Sequence, residues 1–124
     1  MKLVRDEAES PALKAALGPD DRIATSAVGD VEVRRVIERF PDREAARQLW
    51  EAAASGLRIM ELTEQIGDLA ATAPPTLLRT LDAIHLASAL VLKPELDAFV
   101  VYDRRLAAAA AALGLPVSSP GAAA

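Results

Sequence analysis

Cysteine is absent from the 124 residues. That excludes disulfide staples and thiolate metal sites, and it suits a reducing cytoplasm. Aromatic residues make up only 3% of the chain against 52% hydrophobic residues, so its core must be built from Ala, Leu, Val and Ile. No stretch approaches the roughly 18 consecutive apolar residues that a membrane helix needs. The opening Met1-Lys2-Leu3-Val4-Arg5-Asp6 is interrupted by charge before the apolar region of a signal peptide can form. Positive charge is not in excess either. With a formal net charge of −4, binding to nucleic acid through bulk electrostatics is disfavoured; a local basic patch or bound metal ions would have to carry it.

What is there suits one domain, expected over residues 1–117 with a flexible tail at 118–124. Ser10, Pro11 and Gly18 punctuate a short helix as cap, first-turn residue and left-handed exit. Arg22–Thr25 reads as a strand. A helix with Val28, Val31, Val36 and Ile37 near helical spacing follows through Phe40 and stops at Pro41. The next helix runs from about Asp42 to Ser55, and Leu57–Leu62 alternates as a second strand. Thr63 caps a helix to about Thr72, Pro74-Pro75 breaks it, and the most regular helix spans Leu77–Leu92. Ala98–Tyr102 is a continuous apolar strand of the kind found inside parallel sheets. An alanine-rich helix over Asp103–Leu113, closed by Gly114, and a short strand at Leu115–Val117 complete the pattern. Strands alternating with helices of this length predict an α/β fold with a mostly parallel sheet.

Three acids stand where apolar residues or strand ends are expected. Glu32 lies four residues from both Val28 and Val36, and Asp82 four from both Leu78 and Leu86, so each shares a helical row with apolar neighbours. A charge in such a row must be paired, hydrogen-bonded or bound to metal. Asp103 follows the apolar strand at its carboxyl end, where open α/β sheets place ligands. Each acid also has a structural reading. Glu32 can pair with Arg35 or Arg79, Asp82 can pair with His85 or Arg79, and Asp103 can cap a helix. Oxygen ligands with no cysteine and a single histidine favour Mg²⁺, with Mn²⁺ as the alternative, over zinc. His85 is a candidate for acid–base work or for bracing Asp82. Arg34, Arg35, Arg79, Arg104 and Arg105 are candidates for phosphate contacts or solvated helix faces. Trp50 suits either an exposed contact patch or the core.

The stretch Thr25-Ser26-Ala27-Val28-Gly29-Asp30-Val31-Glu32 resembles the second acidic motif of VapC-type PIN-domain ribonuclease toxins. Leu81-Asp82-Ala83-Ile84-His85-Leu86-Ala87 is similar to the third, and Phe99-Val100-Val101-Tyr102-Asp103-Arg104-Arg105-Leu106 to the fourth. The resemblance implies a three-layer α/β/α PIN-like fold and Mg²⁺-dependent endonucleolytic cleavage of RNA, with Glu32, Asp82 and Asp103 as catalytic and metal-binding acids. It also implies a VapB-type antitoxin partner, a homodimer, no membrane association and a cytoplasmic location. Two departures stand out. The family's first strand and its aspartate are expected ahead of Met1, with Asp6 on the wrong element to replace them. Val101 occupies a position where relatives often carry a hydroxyl. The alternative reading is therefore an impaired PIN-like protein that only binds an antitoxin.

Overall fold

The computed structural model describes residues 23–119; the expected helix over 9–18, the position of Asp6 and the last residues of the expected tail lie outside them. The described residues fall into two compact units, 23–61 and 62–119.

In the first unit, β1 (Ile23–Ser26) pairs in parallel with β2 (Leu57–Met60), with Ile23 opposite Leu57 and Ser26 opposite Met60. The chain between them forms two helices, α1 (Ala27–Ile37) and α2 (Arg43–Ala54). Ser26 ends the strand and starts the helix: its hydroxyl oxygen accepts the Gly29 N–H at 2.9 Å, satisfying one of the donors a helix start leaves open. Helix α1 stops at Ile37 rather than Phe40. Arg39 and Phe40 instead donate to the carbonyls three residues back, each at 3.0 Å, because a residue preceding proline is pushed out of the helical region. The core is Val33, Ile37 and Trp50, with Ala46, Ala54 and Leu57 against it. Of the expected row, Ile37 is buried, but Val31 is exposed and Val28 and Val36 are only half-buried. Valines occur all round this helix, so its sequence singles out no face. Packing against Trp50 selects the face carrying Val33 and Ile37.

In the second unit, Thr63 caps α3 (Glu64–Thr72) by accepting the Ile66 N–H at 3.2 Å. Helix α4 spans Thr80–Leu92, three residues shorter at its start than expected. The Leu78 N–H donates to the Pro75 carbonyl at 2.9 Å in a turn, Leu77 is almost wholly exposed, and Arg79 takes the extended cap position at φ −60°, ψ 146°. Small residues around α4 (Ala83, Ala87, Ser88 and Ala89) are buried with Leu86, which permits close approach of its neighbours. A 3-10 turn at Lys93–Glu95 follows. Then β3 (Phe99–Val100), α5 (Arg104–Ala112) and β4 (Val117–Ser118) fold so that β3 and β4 pair in parallel.

The core of this unit joins Leu86 and Ala89 to Val101, Leu106, Ala109, Ala110 and Leu115. Strand β3 is shorter than the expected Ala98–Tyr102, and Val100 is partly exposed rather than covered on both faces. Its partner explains this: β4 supplies two residues and is preceded by Pro116, which has no N–H to extend the ladder. Ser118, placed by composition in the tail, is the last residue of β4. Helix α5 closes on Gly114 at φ +79°. The N–H of Gly114 donates to Ala111 and that of Leu115 to Ala110, the paired closing bonds of a left-handed helix exit. Both strand pairs are parallel, as the alternation of elements predicts. No helix among the described residues is long and apolar enough to cross a membrane.

Candidate functional site

Two of the three expected acids meet in the second unit. Asp82 lies in the first turn of α4, three residues after the cap residue Arg79, whose Nε donates to Asp82 Oδ2 at 3.2 Å. Asp103 is the cap of α5: its Oδ1 accepts the Leu106 N–H at 2.9 Å. The other oxygen, Oδ2, faces Arg79 Nη2 at 3.6 Å. One guanidinium therefore spans one oxygen of each carboxylate. The Asp103 contact is longer than a hydrogen bond, so attraction there is electrostatic.

Both structural readings of these acids hold, Asp82 as an ion-pair partner of Arg79 and Asp103 as a helix cap. They do not exhaust the arrangement, because the cap leaves Asp103 Oδ2 available and the ion pair extends to it. Each acid also sits in the first turn of a helix or just before it, where the N-terminal dipole favours negative charge. Val101 is buried in the core cluster, so an apolar residue there serves packing. His85 is half-buried one turn after Asp82 on α4.

Glu32 belongs to the first unit, on α1, half-buried in the same row as Val28 and Val36. The neighbouring acid Asp30 serves the structure, accepting the Trp50 Nε1–H at 2.9 Å and pairing with Arg34 at 3.1 Å. Trp50 is therefore a core residue and not an exposed contact patch, being 5% exposed, with its indole N–H satisfied. Arg34 is tied to Asp30, while Arg35, Arg104 and Arg105 are exposed.

Among the described residues of each unit, no three His, Asp or Glu side chains gather as a ready-made ion site. The Asp82–Asp103 pair nevertheless fits a divalent ion by the nature of its donors. Two hard carboxylate oxygens, the donor type such ions take, already share one cation, the Arg79 guanidinium. The bridging role of Arg79 is the feature the sequence does not reveal. Its three-residue spacing to Asp82 is visible, but nothing in the order of residues brings it to Asp103.

Comparison with known proteins identifies the family. The PIN domain family matches residues 1–113. Ribonuclease VapC47 of Mycobacterium tuberculosis is 43% identical over 128 residues, covering 98% of this chain and 91% of that protein. Ribonuclease VapC35 of the same organism is 42% identical over 127 residues, with the same coverage of both chains. Ribonuclease VapC46, also from Mycobacterium tuberculosis, is 37% identical over 120 residues, covering 97% of this chain and 91% of its own length. No solved structure gives a significant match. The match over nearly the whole chain, with a relative 43% identical, places this chain in the PIN-domain family, among its VapC-type proteins.

Proposed function

We propose that this chain is an Mg²⁺-dependent endoribonuclease and the toxin of a toxin–antitoxin pair, acting in the cytoplasm as a homodimer and neutralised by a VapB-type antitoxin. The observation that carries the reading is the convergence of Asp82 and Asp103 on a single cation, in a chain whose relatives are named as VapC ribonucleases. Asp82 and Asp103 would hold the metal, and Glu32 supplies the third acid by motif resemblance. A divalent ion bound there would supply an activated water and charge stabilisation at the phosphodiester.

The chain's own part is to fix the carboxylates. Helix α4 holds Asp82 rigidly in its first turn, and the cap hydrogen bond to Leu106 fixes the rotamer of Asp103. Exposed Arg104 and Arg105 follow Asp103 directly and supply positive charge for RNA phosphates in a chain that is acidic as a whole.

The test is cleavage of total cellular RNA by the purified chain with Mg²⁺, with and without chelator. We expect Asp82→Asn to abolish both cleavage and growth inhibition on expression, with Glu32→Gln acting in the same direction. An Asp82→Asn protein as active as its parent would remove the metal-site assignment. A parent chain that binds a cognate antitoxin but cleaves nothing would be an impaired binding protein instead.

A further inference from the structure

We infer that Arg79 is a displaceable internal cation: its guanidinium holds the place between Asp82 and Asp103 that a divalent ion takes, and the ion binds by driving it out. The inference rests on the metal-dependent reading above. Its basis is a division of labour within the cluster. The acids are held in place, Asp82 by the first turn of α4 and Asp103 by the hydrogen bond from Leu106. Their side chains are 19% and 41% exposed, whereas that of Arg79 is 74% exposed. Arg79 is thus the partner that can leave without disturbing the others.

Its bonding is also weak for an arginine. The two donors Nε and Nη2 go to different carboxylates, at 3.2 and 3.6 Å, so the two-pronged geometry that makes arginine–carboxylate pairs strong is not used. Exposed and only loosely bonded, the guanidinium gains little by staying. What it does provide is charge. Two carboxylates converging without a cation repel each other, and Arg79 offsets that repulsion until a metal ion replaces it. Both cations would draw on the same two carboxylates, so they compete. The affinity for the metal is the intrinsic affinity of the acid pair reduced by the occupancy of Arg79.

The competition predicts that deleting the guanidinium improves metal binding, the opposite of what loss of a supporting residue would do. The experiment is calorimetric titration of the full chain with Mn²⁺ alone, for the parent and for Arg79→Ala, Arg79→Gln, Arg104→Ala and Asp82→Asn. Both Arg79 variants should bind Mn²⁺ about two- to fivefold more tightly than the parent, the scale set by a weak exposed ion pair. Arg104→Ala removes an equal charge from the exposed neighbour of Asp103 and should change the affinity less. Equal or weaker binding by both Arg79 variants overturns the inference, as does an Arg104→Ala gain as large as theirs. If Asp82→Asn loses Mn²⁺ while the Arg79 variants bind like the parent, only the inference falls. If Asp82→Asn binds Mn²⁺ unchanged, the metal placement falls and takes the inference with it.

Discussion

The two units use their charges differently. In the first, charged groups support the structure: Asp30 satisfies the buried Trp50 indole and pairs with Arg34 one turn along the same helix. Arg47 ties the turn after α1 to the start of α2 through Glu38 and Glu44. In the second, acids from two separate helix starts, Asp82 and Asp103, are drawn to a single exposed guanidinium. Spacing of three or four residues on one helix is common and carries little functional meaning. Convergence of like charges from distant points in the chain costs energy and calls for a functional reason. The contrast teaches that an acid's partners, more than its burial, separate structural carboxylates from candidate catalytic ones.

Asp103 tests that contrast most sharply, because it carries both roles on separate oxygens. Asparagine can still accept the Leu106 N–H as a helix cap, yet it removes the negative charge. Asp103→Asn should therefore keep the parent's melting temperature while lowering RNA cleavage by roughly 100-fold or more, given that metal-held charge stabilisation is worth several kcal/mol. Asp103→Ala should lose the cleavage and also about 1 kcal/mol of stability from the missing cap. Circular dichroism melts beside cleavage assays read both quantities. An Asp103→Asn protein that cleaves normally would reduce this acid to a cap and erase the difference between the units.

The converse experiment lies in the first unit. Trp50→Ala empties the centre of the Val33–Ile37–Trp50 core and should cost about 3–5 kcal/mol, a large share of a typical domain's stability. Trp50→Phe keeps most of the apolar volume but leaves Asp30 without its indole donor, for a loss of about 1–3 kcal/mol. Chemical denaturation should rank parent, Phe and Ala in that order. Phe and Ala variants of equal stability would mean that the indole–carboxylate hydrogen bond dominates this core and not the ring's burial.

These outcomes bear on what the sequence could disclose. Caps and breakers were legible because they act locally. Thr63 and Gly114 do what their positions predict, and Pro74-Pro75 lies just beyond the helix it is expected to end, whereas α1 stops three residues short of the expected Phe40. Parallel pairing was legible from the alternation of strands and helices. The buried face of α1 was not, since valines surround it and the choice depends on Trp50, well along the chain. The extent of β3 was not legible either, because strand length depends on a partner whose own extent Pro116 limits. At the site, Asp82 and Asp103 could be singled out from pattern and motif. The cation that joins them could not, as only the fold brings Arg79 to Asp103.

The smallest effect is expected at one of the shortest ion pairs among the described residues. Arg47 lies 2.6 Å from Glu38 Oε2 and 3.1 Å from Glu44 Oε2. Its hydrogen bond to Glu38, with that to Glu44 next, holds its guanidinium above the usual arginine range. A raised pKa means stabilisation that is fully present below the unfolded-state value and lost only as pH climbs through the still higher folded-state value. Both lie far above neutrality, so this group adds no pH dependence to folding in any working buffer. The network is exposed to water, salt screens it, and three ordered long side chains offset much of the attraction. Arg47→Ala should therefore leave the melting temperature within about 2 °C of the parent at physiological salt. A drop several times larger, and one that salt fails to diminish, would show that the first unit depends on its ion pairs as strongly as on its core.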